Sequence, residues 1–137
     1  MLFWQKIPAR EHYLLRLLTH LVKTYQTQVP VSIADISAQE KISVKYLEKL
    51  VAPLKKAGWV KSVRGRDGGY LLAVNPNKLS LQDVALAINR RPKLLVCLHN
   101  QSGCILASHC PSKGAWEQLL NSWNKTLSTY KLSKLIK

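Results

Sequence analysis

The sequence predicts a mainly α fold with a small β-hairpin wing and a long helix behind it, on three observations. Three segments with apolar residues spaced by three and four precede two short alternating segments joined by a glycine-rich turn, and a further apolar stripe spans residues 113–130. Apolar side chains make up 47% of the 137 residues, enough for a core and too many for a disordered chain. Lys and Arg number 21 against 7 Asp and Glu, a net charge of +14 that self-repels unless a polyanion neutralises it.

The first helix is expected from Glu11 to Tyr25, where Tyr13, Leu14, Leu17, Leu18, Leu21, Val22 and Tyr25 share one face. Pro8 suits its start, and the polar run Gln26-Thr27-Gln28 ends it. Val29-Pro30-Val31 reads as extended. Ser32 then caps a short helix, Ile33 to Glu40, expected to turn Ile33, Ile36 and Ala34 inward, and Lys41-Ile42 forms a turn. Ser43 caps a third helix whose inner face is Tyr46, Leu47, Leu50, Val51 and Leu54. Pro53 interrupts that pattern. Its missing N–H and its ring, costing about 3 kcal/mol in a helix interior, predict a kink or a restart there.

Gly58 is placed to end the third helix in a left-handed conformation. Trp59 to Val63 and Tyr70 to Val74 alternate as strands around a turn, Arg64 to Gly69, with three glycines, and Asn75-Pro76-Asn77 closes the hairpin. Ser80 and Asp83 have capping-box spacing at the head of a helix that runs to Ile88 or Asn89. Between Arg90 and Ser112 periodicity fades and the three cysteines fall. From Lys113 to about Tyr130, the residues Ala115, Trp116, Leu119, Leu120, Trp123, Leu127 and Tyr130 restore a helical stripe, and a short basic amphipathic tail follows to Lys137.

Three short helices followed by a hairpin is the order of a winged helix-turn-helix, whose third helix enters the DNA major groove while the wing grips phosphate. Ser43, Lys45, Tyr46 and Lys49 lie at the start and exposed side of the third helix, where short polar and basic groups reach base edges and phosphates. Arg64 and Arg66 sit at the wing tip, and Gly65, Gly68 and Gly69 would let the backbone approach a groove wall closely. Taken singly, these lysines suit a solvated helix face and these glycines an ordinary turn. Both features in this order point to double-stranded DNA.

Other function classes find no support. There is no P-loop, no G-x-G-x-x-G and no nucleophile–His–acid pattern, so an enzyme is not expected. The best apolar run, Leu14 to Val22, is broken by Arg16, Thr19 and His20, well short of the roughly 18 residues of a membrane span. The opening MLFWQKIPAR has no apolar signal core, which points to the cytoplasm. There an odd number of cysteines forms no closed disulfide framework. Cys97, Cys104 and Cys110, in a loop with Gly and Ser, suggest a soft-metal site, and without Cys-x-x-Cys pairing iron–sulfur is favoured over zinc.

The runs Ile33-Ala34-Asp35-Ile36-Ser37, Ile42-Ser43-Val44-Lys45-Tyr46-Leu47-Glu48 and Ala57 to Leu72, with "SVRG" and "GGYLL", resemble the Rrf-type (IscR/NsrR/CymR-like) family of bacterial winged helix-turn-helix transcriptional regulators. The resemblance continues to the stretches "TLS" and "KLSKLI" and covers nearly the whole chain. It implies a homodimer on a palindromic operator, with DNA-binding residues 1–90, a cluster-binding loop at 91–112, and a dimerisation helix and tail at 113–137. In many members three loop cysteines hold an iron–sulfur cluster. Cys97, Cys104 and Cys110 match them, with six and five residues between, the first interval one residue longer than the family pattern.

The fourth ligand varies within the family. Where some members place a His after the third Cys this chain has Lys113, a poor ligand while protonated. Others take a residue near the start of the partner's first helix, and His12 matches that position. His109 and His99 are rivals within the loop, and His20 a remote one. The expected function is a regulator whose operator affinity follows a 2Fe–2S cluster sensing redox state, nitric oxide or iron and cluster status. The alternatives are a cluster-free regulator responding through thiols or a ligand, and a general basic nucleic-acid binder.

Overall fold

The computed structural model describes residues 9–88 and 104–136. Within these, five α-helices and one two-stranded antiparallel sheet surround a single core. Helix α1 (Ala9–Lys23) buries Leu14, Leu17, Leu18, Leu21 and Val22, so the expected face is correct while the helix begins and ends two residues earlier. Pro8, Asn89, Cys97, His99 and Lys137 lie outside the described residues.

Helix α2 (Ile33–Glu40) starts at Ser32, whose hydroxyl accepts the Ala34 N–H, and ends at Lys41 in the left-handed conformation, φ 56° and ψ 40°. Ile36 is buried and Ile33 packs at the core edge, but Ala34 faces solvent, because α2 is too short to bury more than one narrow stripe. Helix α3 (Val44–Lys56) starts at Ser43 and runs through Pro53 without a restart, against the expectation. Proline removes only the bond to the Lys49 carbonyl, on an exposed residue where water can replace it, while Leu50, Val51 and Leu54 keep the helix on the core. Gly58, at φ 76°, ends it: its N–H meets the Lys55 carbonyl at 3.0 Å and the Trp59 N–H meets the Leu54 carbonyl at 3.0 Å, the paired bonds of a Schellman motif.

Strands β1 (Val60–Val63) and β2 (Gly69–Leu72) form the hairpin, with Val60 opposite Leu72 and Val63 opposite Gly69. They are shorter than expected at Trp59 and Val74, although the Ala73 N–H still reaches the Trp59 carbonyl at 2.7 Å. Val31 adds a third line of pairing, exchanging two 2.9 Å bonds with Tyr70. Helix α4 (Leu81–Ile88) is capped reciprocally: Asp83 accepts the Ser80 N–H at 2.7 Å, and Ser80 Oγ accepts the Asp83 N–H at 3.2 Å.

Helix α5 (Lys113–Thr129) packs along α4 yet buries none of its residues. Trp116, Leu119 and Trp123 remain 40%, 49% and 41% exposed. Beyond it, the tail is not a free amphipathic arm. It turns as a 3₁₀ helix, Leu132–Leu135, against α1, bridges Lys131 to Ser80, and inserts Leu132 into the core with no exposed surface. No helix of the described residues is long and apolar enough to cross a membrane.

Candidate functional site

The capped start of α3 is exposed at Ser43, Val44 and Lys45. Ser43 Oγ accepts the Tyr46 N–H at 3.3 Å, so the side chain proposed to meet DNA also satisfies the helix end. Lys45 and Lys49 are exposed and four residues apart, hence on one face. Tyr46 differs from them: half-buried, it packs edge-on to Tyr13 of α1 with ring centroids 5.9 Å apart.

At the wing tip Arg64, Gly65, Arg66 and Asp67 are exposed. Gly65 has φ 125°, a conformation closed to residues with a Cβ, and its carbonyl accepts the Gly68 N–H at 3.1 Å. Gly68 and Gly69 have an intrachain role that the sequence does not reveal. A Cβ on Gly68 would overlap the Val63 carbonyl, and one on Gly69 would overlap the Val31 carbonyl, so both glycines make room for this chain's own backbone.

Beneath the α2–α3 turn lies a polar cluster that sequence patterns do not reveal. Glu40, the last residue of α2, accepts the His20 Nε2–H at 2.6 Å on Oε1 and pairs through Oε2 with Arg16 Nε. An Arg16 N–H also reaches the Glu40 backbone carbonyl at 3.5 Å. The hydrogen bond from His20 holds the Glu40 carboxyl below the usual carboxylate range, opposed by burial and helped by Arg16. An acid here lacks helix-dipole support, and no basic residue in α2's last turn compensates, which is the one local hint of a partner elsewhere.

The described part of the cysteine loop is a run of turns leading into α5. The Ala107 N–H reaches the Cys104 carbonyl at 3.1 Å, the His109 N–H the Leu106 carbonyl at 3.0 Å, and the Lys113 N–H the Cys110 carbonyl at 3.3 Å. Ala107 anchors the run in a buried position, whereas Ile105 and Leu106 face solvent. Cys104 and Cys110 are free, half-buried thiols. The Ser112 hydroxyl, 3.3 Å from Cys110 Sγ, and the Ser112 backbone N–H lower the Cys110 pKa from the ordinary thiol value. His109 is exposed, with Nδ1 2.8 Å from Ser108 Oγ. His12 is exposed on α1 beside Tyr13. Among the described residues, no three His, Cys, Asp or Glu side chains converge as a metal site.

The Rrf2 family model, described as an iron-dependent transcriptional regulator, matches residues 7–137. "Protein rrf2" of Nitratidesulfovibrio vulgaris is 32% identical over 96% of this chain and 87% of its own length. The transcriptional regulator IscR of Aliivibrio salmonicida is 34% identical over 84% of this chain and 68% of its own. The solved structure of CymR, the global cysteine regulator of B. subtilis, superposes with a TM-score of 0.80 at 28% identity, covering 96% of each chain. A family match over residues 7–137, joined to a capped third helix and a basic wing, means that this protein belongs to the Rrf2 family and is a DNA-binding transcriptional regulator, not an enzyme.

Proposed function

We propose that this regulator acts in the cytoplasm as a homodimer on a palindromic operator, its affinity set by an iron–sulfur cluster of the 2Fe–2S type. Residues 1–90 read DNA through Ser43, Lys45, Tyr46 and Lys49, with Arg64 and Arg66 in the adjoining groove. Residues 91–112 carry the sensor, and α5 in 113–137 makes the dimer contact. The observation that carries this reading is adjacency: two free cysteines, Cys104 and Cys110, lie in turns that run directly into a helix whose indoles are left uncovered.

The donor chemistry suits such a group. Cys97, Cys104 and Cys110 would supply three thiolates, Ser112 stabilises the charged form at Cys110, and His12 of the partner subunit would complete the set, with His109 or His99 as rivals. When bound, the cluster would supply iron open to one-electron chemistry and nitrosylation. Anaerobic purification should give coloured protein with equal iron and sulfide. Cys104→Ala should abolish the colour, and His12→Ala should retain iron but shift the spectrum. Colourless wild-type protein, or normal regulation by a triple Cys→Ala variant, would overturn the reading.

A cluster-free thiol switch is the second reading, favoured by the likeness to CymR, the global cysteine regulator of B. subtilis. It expects colourless protein whose operator affinity changes with an added thiol oxidant.

A further inference from the structure

We infer that Arg16, Glu40 and His20 are positioning residues for operator recognition, setting the angle at which α3 meets DNA; this rests on the reading of α3 as the recognition helix. Paired charges on an open surface contribute little, because water competes for both partners. Here the side chains of Glu40 and His20 are only 16% and 14% exposed, and both carboxylate oxygens are engaged from α1. The clamp acts on the C-terminal end of α2, where a carboxylate would otherwise face the negative end of the helix dipole. Its next residue is Lys41, held left-handed at φ 56°, a conformation disfavoured for a residue with a Cβ. Buried Ile42 and the cap Ser43 follow immediately.

A rigid attachment therefore stands three residues before the first turn of α3. Tyr13 against Tyr46 gives α1 a second hold, on α3 itself. Between them the two contacts fix the reading helix relative to α1, and none of Arg16, Glu40 and His20 is needed to touch DNA.

The test uses the full-length protein and a preferred duplex selected from a random pool, compared with a scrambled duplex of equal composition. Glu40→Ala and His20→Ala should reduce the preference for the selected duplex roughly tenfold, the scale of substitutions that act without touching the ligand. Affinity for the scrambled duplex should stay unchanged. His20→Gln, which restores a donor near the Nε2 position, should recover most of the preference. Should Glu40→Ala fail to fold, the His20→Ala and His20→Gln pair decides alone. Equal losses on both duplexes, no loss on either, or no recovery with glutamine would each overturn the inference. Lys45→Ala and Arg66→Ala serve as controls: if both keep full preference, the assignment of α3 and the wing has failed, and the positioning role falls with it.

Discussion

Trp123→Ala tests the proposed dimer through a quantity the structure supplies. The indole is 41% exposed on α5, in a stripe with Trp116 and Leu119 that the chain itself leaves open. A tryptophan carries about 150–250 Å² of surface, so roughly 60–100 Å² of it awaits a partner. At about 25 cal/mol per Å², covering that area contributes about 1.5–2.5 kcal/mol. A two-fold axis brings the same residue in from both copies, which doubles the effect to about 3–5 kcal/mol. The dimer of Trp123→Ala should accordingly dissociate at concentrations roughly two to four decades above those of the parent. Sedimentation velocity over a dilution series reads this directly, with circular dichroism to confirm that α5 is retained. A parent that is monomeric at about 100 μM, where even weak specific dimers form, would refute the argument. So would a variant that associates as tightly as its parent.

Leu132→Ala should cost about 2.7–5 kcal/mol, read as a lower urea midpoint at unchanged slope, because the side chain is fully enclosed; a loss under about 1 kcal/mol would remove the tail from the core. Gly69→Ala forces a Cβ into the Val31 carbonyl and should cost about 1–3 kcal/mol, with faster amide exchange at Val31 and Tyr70 if their pairing opens first. For Glu40 the folded-state pKa lies below its ordinary value of 4.5, so its contribution is complete above that value and is lost as pH falls through the lowered one. Urea midpoints of wild type and Glu40→Gln should therefore differ at neutral pH and converge in acid; a constant gap would contradict the hydrogen bond from His20.

What could be read from the sequence was local. Ser32, Ser43 and the Ser80–Asp83 pair announce helix starts because the bonds they make close within three residues, and Gly58 announces a stop by the same logic. The apolar faces of α1 and α3 follow from period alone. What escaped depends on pairings across the chain: His20 with Glu40 spans 20 positions, and no periodicity records it. The glycines of the wing were visible, but their purpose was not, since only the course of Val31 past Gly69 reveals which backbone needs the space. Pro53 stays within α3 because the burial of Leu50, Val51 and Leu54 outweighs the cost of a proline, a balance no local pattern reports. Tyr46 satisfied two patterns at once, an inner face and a reading face, and its contact with Tyr13 shows the inner one.

Leu132 follows every other residue of the core in the order of synthesis. While a nascent chain lengthens from the ribosome, the three N-terminal helices and the wing can assemble only around an open slot, which stays open until the 3₁₀ turn has emerged and docked on α1. A shortened product ending before that turn would keep the basic wing but not a sealed core, and would be a substrate for proteolysis. The core is thereby sealed only after α5 has been made, so every chain with a closed core already carries the helix with the open indoles.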